Sequence, residues 1–220
     1  MVGLALILTI STGCTSTPDW ALFKNHSKKD KLEPGPQVTA PVERIKQMHE
    51  LAKRAHEMSP QEQEKESVEL ARAIQHEEDP LIRQQILRTL AVFSTPLSTT
   101  VLTAGAKDTD PNVRIACCEA WGKKKGPDSV KVLTEVLNSD TDLDVRMAAT
   151  RGLGESGEPA AIESLGVALD DKDPAMQHCA IVSLEKISGK RFPDVSTWRT
   201  YVRGGSPEEE SVVARMKRWF

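Results

Sequence analysis

Aromatic residues are scarce in this chain, since Phe, Trp and Tyr together make up 4% of its 220 residues. Segments in which apolar and polar residues alternate, the pattern of a half-buried strand, are also hard to find. The apolar content comes mainly from Ala, Leu, Val and Ile, which are small or aliphatic side chains that suit close helix packing. This composition predicts an all-α protein.

The chain also lacks a large excess of charge of either sign. Its formal net charge is -3, so no global basic field draws it towards nucleic acid or an anionic membrane. Basic clusters do occur at Lys123–Lys125, at Lys190-Arg191 and near the C-terminus. They prompt a hypothesis of nucleic-acid binding, but the overall acidity and the export signal described below lead us to expect no nucleic-acid partner.

Signatures of the common catalytic sites are missing. There is no Gly-x-Ser-x-Gly, no phosphate loop that ends in Gly-Lys-Ser or Gly-Lys-Thr, and no dinucleotide fingerprint after a strand. The four cysteines contain no Cys-x-x-Cys pair. Cys117 and Cys118 are neighbours on a predicted helix, which is poor geometry for a mutual disulfide. We therefore expect no catalytic residues, no cofactor and no metal site.

An apolar run from Val2 to Ile10 is too short to cross a bilayer as a helix, but it matches the h-region of a secretory signal. Small residues then precede Cys14, an arrangement that resembles the lipobox of bacterial lipoproteins. The resemblance implies an exported protein, lipidated at Cys14 and anchored to a membrane on the periplasmic side of the cell envelope. Ser11 stands where that family usually has Leu, so a signal with an unmodified Cys14 remains the alternative.

One short motif recurs along the chain with a nearly constant period. Its clearest copies are Asp110-Pro-Asn-Val-Arg114 and Asp142-Leu-Asp-Val-Arg146, and weaker copies are Asp79-Pro-Leu-Ile-Arg83 and Asp173-Pro-Ala-Met-Gln177. The last residues of the four copies are 31, 32 and 31 positions apart in chain order. A period of this size predicts a solenoid in which each repeat is a helical hairpin.

The Asp-Pro-x-Val-Arg-x-x-Ala pattern resembles HEAT repeats, in particular the short bacterial type of about 31 residues. The resemblance implies a right-handed α-solenoid in which columns of Asp and Arg form an electrostatic ladder between adjacent repeats. It assigns that structural ladder to Asp79, Arg83, Asp110, Arg114, Asp142, Arg146 and Asp173. Gln177 departs from the pattern, so we expect the ladder to end there.

The same patterns divide the chain into segments. We predict a signal and lipobox segment, a flexible tether, an N-terminal capping helix, four HEAT-like repeats and a C-terminal helical cap, at residues 1–14, 15–40, 41–58, 59–189 and 190–220 respectively. A capping-box signature, Ser206-Pro-Glu-Glu209, predicts the last helix of the cap. The alternative for its basic, aromatic end is an arm that contacts a membrane surface or a partner.

Solenoids expose an extended face that the second helix of each repeat commonly lines. The outward positions of these predicted helices are candidate partner-binding residues: Asn112, Ile115, Glu119, Asp144, Met147, Arg151 and His178, with Ala175 and Ile181 at further outward positions. We therefore expect a non-catalytic scaffold or adaptor that binds an unidentified protein at the bacterial cell envelope.

An enzyme, or the partner of an enzyme, is the alternative. A His-Glu pair occurs three times, at His49-Glu50, His56-Glu57 and His76-Glu77, and is similar to the iron-binding motif of deoxyhypusine hydroxylase, itself a HEAT-repeat enzyme. That family carries the pair directly after the Arg position, where this chain has other residues: Gln84-Gln85, Ile115-Ala116, Met147-Ala148 and His178-Cys179. A solvated polar surface explains the pairs more simply. HEAT-like repeats also occur in phycobilin lyases, which keeps a lyase-like role open.

Overall fold

The computed structural model describes residues 41–207, so the signal segment, the tether and the cap beyond Pro207 lie outside the described residues. Within that range the chain forms ten α-helices and a 3-10 turn at Ala55–Glu57, and no strand. The helices are α1 (Pro41–Arg54), α2 (Pro60–Gln75), α3 (Pro80–Leu90), α4 (Pro96–Gly105), α5 (Pro111–Lys124), α6 (Pro127–Ser139), α7 (Leu143–Ser156), α8 (Ala161–Leu169), α9 (Pro174–Ser188) and α10 (Val195–Val202).

The recurring motif is a helix start. Its first residue is the N-cap of α3, α5, α7 and α9, and the cap carboxylate accepts a hydrogen bond from the backbone N–H two residues on. Proline follows the cap in α3, α5 and α9, where its missing N–H costs nothing and its φ suits the helix. The motif therefore fixes where each second helix begins.

Helix ends are also encoded locally. Gly157 and Gly189 take left-handed φ angles of 69° and 70° and end α7 and α9. After α5 the roles differ, because Lys125 is the left-handed residue at φ 58° and Gly126 instead becomes the N-cap of α6. A glycine that the repeat pattern places after each second helix can therefore serve the end of one helix or the start of the next.

The helices form two layers. One layer, here called the second-helix layer, consists of α1, α3, α5, α7 and α9, each of which packs against the next. The opposite layer contains α2, α4, α6, α8 and α10. Consecutive helices from the two layers form four hairpins, α2–α3, α4–α5, α6–α7 and α8–α9, which we number as repeats one to four. This tandem arrangement confirms the all-α solenoid that the period predicted.

The core lies between the layers. A column of large side chains, Leu90, Trp121, Leu153 and Leu184, occupies one position of α3, α5, α7 and α9 and is almost fully buried. Burial of such apolar surface stabilises the array by about 25 cal/mol per Å². At the C-terminal end the ring of Trp198 packs edge-on against Phe192, with 4.7 Å between ring centroids, and α10 covers α8.

Candidate functional site

The arginines of the motif link adjacent repeats. Arg83 on α3 holds Asp108 of repeat two with Nε–Oδ2 and Nη2–Oδ1 distances of 2.9 and 2.8 Å. Arg114 on α5 holds Asp140 of repeat three at 2.7 and 3.0 Å. These contacts are parallel, two-pronged and partly buried, which is the geometry in which a guanidinium binds a carboxylate best.

The structure corrects the acidic side of the ladder. The resemblance to HEAT repeats assigned it to Asp79, Asp110, Asp142 and Asp173, but these carboxylates accept hydrogen bonds from the first N–H groups of their own helices. The ladder acids stand two positions earlier: Glu77, Asp108, Asp140 and Asp171. A carboxylate at the N-cap is engaged by its helix, whereas one in the preceding loop is free to face the neighbouring repeat.

Each ladder acid also braces the loop that carries it. Glu77, Asp108, Asp140 and Asp171 each accept a hydrogen bond from the backbone N–H of the motif aspartate two residues on, at 2.8 to 3.0 Å. One carboxylate thus joins the start of its own second helix to the arginine of the repeat before it.

The two ends of the ladder differ from its centre. At the N-terminal end Arg44 of α1 pairs with Glu77, a rung that the sequence did not predict because α1 carries no Asp-Pro motif. Towards the C-terminal end Arg146 Nη2 is 3.6 Å from Asp171 Oδ2, a longer pair than the others. Gln177 keeps only a backbone contact, since its Nε2 donates to the Asp171 carbonyl at 2.7 Å.

The charges of the central rung are held firmly. Burial alone would raise the pKa of Asp140, but hydrogen bonds from Arg114 and from the Asp142 N–H, with the charges of Arg114 and Arg146, outweigh burial and lower it. The hydrogen bonds to Asp140 raise the pKa of the Arg114 guanidinium. This edge of the second-helix layer is therefore a rigid structural seam.

The open face of the second-helix layer carries the predicted partner-binding residues. Asn112, Glu119, Asp144, Arg151, Ala175 and His178 are exposed, and Ile115, Met147 and Ile181 are half-buried. The structure brings these residues onto α5, α7 and α9, where all of them except Ile181 occupy equivalent positions of the repeats; the residue of α9 that corresponds to Glu119 and Arg151 is Val182. Sequence reasoning missed the contribution of α1 and α3 to the same face.

Aliphatic side chains lie open on that face. Arg44 and Arg83 occupy equivalent positions, so Val42 on α1 and Leu81 on α3, two residues earlier in each case, are equivalent as well. They are 77% and 62% exposed, and Val182 on α9 is 50% exposed. With half-buried Ile115 and Met147, every helix of the second-helix layer contributes an aliphatic group. We call this set, Val42, Leu81, Ile115, Met147 and Val182, the aliphatic row.

Charged side chains border the aliphatic row. Arg88 Nη2 lies 3.3 Å from Glu119 Oε2, which joins α3 to α5, and Lys186 on α9 pairs with Glu155 on α7. Both pairs are substantially exposed, so each contributes little to stability. The face therefore combines solvent-accessible apolar surface with fixed charges, the composition of a surface that another molecule can cover.

Of the three His-Glu pairs, the last contributes its acid to the ladder, because Glu77 pairs with Arg44. His49, His56 and His76 are all exposed, and His56 Nε2 is 3.6 Å from the neighbouring Glu57. In the part of the chain that the structure describes, no three His, Cys, Asp or Glu side chains converge in a way that would hold a metal ion.

The three thiols between residues 41 and 207 are buried and unpaired. Burial raises the pKa of all three: that of Cys118 to about 12, and that of Cys117 well above its ordinary value. Cys117 Sγ donates to the Leu102 carbonyl at 2.9 Å. A thiol held protonated in this way is a poor nucleophile, so these cysteines serve packing.

The basic cluster Lys123–Lys125 is not a uniform patch. The Lys124 amine turns inward and donates to the Phe93 carbonyl at 2.8 Å and to Ser98 Oγ at 3.3 Å, and burial lowers its pKa. No helix among residues 41–207 is long and apolar enough to cross a bilayer.

These features define an α-solenoid of helical hairpins whose adjacent repeats are tied by Arg–carboxylate pairs. The chain belongs to the HEAT-repeat family, because a family model described as HEAT repeats matches residues 67–154 and 139–196, together more than half of its length. A comparison with curated proteins finds no match.

Among solved structures, the chain is similar to one in the complex of CpcE and CpcF of phycocyanin lyase from Nostoc sp. PCC7120. The TM-score is 0.46 and the identity 18%, over 69% of this chain and 94% of that chain. A likeness of this degree carries no conclusion about function.

Proposed function

We propose that this protein is a non-catalytic scaffold or adaptor that binds another protein through the open face of its second-helix layer. The observation that carries the proposal is the aliphatic row, in which Val42, Leu81 and Val182 are at least half exposed. Water-exposed aliphatic groups gain about 25 cal/mol per Å² when a partner covers them.

The position of the arginine ladder beside the open face supports the same role. The arginine ladder ties successive helices of the layer together, so the face is presented as a preorganised surface. Binding to such a surface loses less conformational entropy than binding to loops. The buried, protonated thiols and the scattered histidines supply no comparable arrangement for chemistry.

Photocrosslinking in cells tests the binding role. A photoreactive amino acid at Met147, in the aliphatic row, is expected to capture one or a few defined proteins. The matched control places the same photoreactive amino acid at the position of Lys131, which is exposed on α6 in the opposite layer. Equal labelling patterns from both positions, or no adduct from Met147, would contradict the proposal.

We further propose that the scaffold acts at the cell envelope, anchored through lipid on Cys14. Support comes from the sequence alone, in the apolar segment and the small residues that precede this cysteine. Several acyl chains would hold the protein firmly, since each buried CH₂ contributes about 0.8 kcal/mol. Membrane fractionation with palmitate labelling should show label and membrane retention that are both lost in Cys14→Ser. A wild-type protein without label in the soluble fraction would refute the anchor.

A further inference from the structure

One cation on the open face, Arg151, faces the Cys179 thiol of α9 rather than a carboxylate. Residues 88, 119, 151 and 182 are equivalent positions on α3, α5, α7 and α9, again 31, 32 and 31 apart. The first two form the Arg88–Glu119 pair across neighbouring helices. Among residues 41–207, no carboxylate lies within ion-pair distance of Arg151, and Val182 stands on α9 where a pairing acid would be expected.

The neighbouring carboxylates are already engaged. Glu119 faces Arg88, and Glu155, one turn after Arg151 on α7, is paired with Lys186. In the described part of the chain Arg151 is therefore left without an acid, and exposed Asp144 lies seven residues earlier on α7, about 10 Å along the helix, too far to pair with it. The carboxylate of a partner could therefore pair with Arg151 without displacing a carboxylate of this chain.

Two apolar groups lie at positions next to this cation. Met147 precedes Arg151 by one helical turn and is half-buried, and Val182 on the next helix is 50% exposed. A partner that covers these groups would exclude water around Arg151. An ion pair is several times stronger at the lower effective dielectric of a covered surface than in bulk water.

The length of the aliphatic row sets the length of the partner segment that could cover it. It crosses the five helices of the second-helix layer, from Val42 on α1 to Val182 on α9. Packed helices lie about 8–10 Å apart, so four steps span roughly 32–40 Å. An α-helix rises about 1.5 Å per residue, so a helix of roughly 21–27 residues matches that span.

We infer that the open face binds an amphipathic helix of a partner protein, apolar along one side, with a carboxylate placed to pair with Arg151. This inference rests on the proposed scaffold function and specifies its partner. The net charge of -3 would by itself favour a basic ligand. A preference for an acidic helix must therefore come from the local arrangement.

Two synthetic 24-residue peptides test the inference. Both carry Leu along one helical face and Ala and Gln elsewhere; one has four Glu beside the Leu face and the other has four Lys. Fluorescence anisotropy with the full chain is expected to show at least tenfold tighter binding of the Glu peptide. Tighter binding of the Lys peptide would overturn the inferred chemistry while leaving the face as a binding surface.

Variants locate the contact. Arg151→Glu should weaken binding of the Glu peptide at least tenfold. Arg151→Gln, which keeps a polar side chain, should weaken it several-fold and serves as the test if the charge reversal unfolds the chain. The control Lys131→Glu makes the same charge change in the opposite layer and should alter affinity less than twofold. Unchanged binding by a folded Arg151→Gln protein would overturn the inference.

The remaining outcomes separate the inference from the proposed function. Binding of neither peptide, together with crosslinks from Met147 in cells, would reject this partner chemistry and keep the scaffold role. Absence of both would reject the two together. A dimer of the purified chain that Arg151→Glu dissociates in sedimentation would assign the face to a second copy and overturn the inference.

Discussion

The guanidinium of Arg114 joins two repeats through the carboxylate of Asp140, with two parallel hydrogen bonds of 2.7 and 3.0 Å. Its remaining nitrogen donates to the Asp108 carbonyl at 2.9 Å. The side chains are only 15% and 8% exposed. Asp140 in turn accepts the backbone N–H of Asp142, so this one rung fixes both the spacing of the repeats and the start of α7.

The two kinds of motif acid should respond differently to the same substitution. Asp140→Asn removes a charge-assisted pair and is expected to lower the free energy of unfolding by about 1.5–3 kcal/mol. Asp110→Asn keeps an N-cap side chain of equal rank, so we expect a change below about 0.5 kcal/mol. Urea denaturation of both variants checks this. Equal losses of unfolding free energy in the two variants would mean that Asp110 contributes to the ladder as much as Asp140 does.

The central rung should also lose its contribution in acid. The pKa of Asp140 is lowered in the folded protein, so its stabilising effect is complete above the pKa of the unfolded chain, about 3.9. The effect is then lost as pH falls through the lower folded value.

The measurement is the difference in unfolding free energy between the wild type and Asp140→Asn, followed from pH 7 downwards. The difference should be constant to about pH 5 and shrink below about pH 4. A difference that stays constant down to pH 2 would show that the native carboxylate is not held ionised by Arg114. NMR titration of the carboxyl carbon gives an independent reading.

The architecture was predictable because the sequence repeats itself. Each motif copy specifies an N-cap, a helix start and a buried position, so the weaker copies can be interpreted by alignment with the clear ones. Arg83, Arg114 and Arg146 were placed on the ladder by the resemblance to HEAT repeats, and the structure shows all three in ion pairs. The C-terminal departure at Gln177 was visible as a substitution in an otherwise charged column.

The acid partners were harder to predict because two carboxylates lie near each arginine. Asp108 and Asp110 differ by two positions, and both carry charge close to Arg83. Only the three-dimensional loop shows that Asp110 is engaged by its own helix. Arg44 gave even less signal, since its partner Glu77 lies 33 positions away with no motif at α1. Ile115 and Met147 of the aliphatic row were predicted on the open face, whereas Val42, Leu81 and Val182 were missed because exposure is a tertiary property.

The close packing of helices in the second-helix layer also depends on a buried glycine, Gly152. A Cβ added at Gly152 of α7 would lie 2.9 Å from the Cys118 carbonyl oxygen on α5 and 3.1 Å from the methyl groups of Leu133. The α5 backbone cannot move away without shifting the buried column around Trp121. Close approach of α5 and α7 therefore requires glycine at this position.

Gly152→Ala should destabilise the protein although alanine is the better helix former. The propensity gain is about 1 kcal/mol, whereas overpacking against backbone costs about 1–3 kcal/mol. We expect a net loss of up to roughly 2 kcal/mol by denaturant unfolding. The matched control is Gly166→Ala in α8, where the added Cβ approaches only the half-buried Val202 side chain, at 2.8 Å from Cγ1. That side chain can move, so Gly166→Ala should be neutral or stabilising. A gain in stability for Gly152→Ala would mean that α5 and α7 do not pack through this glycine.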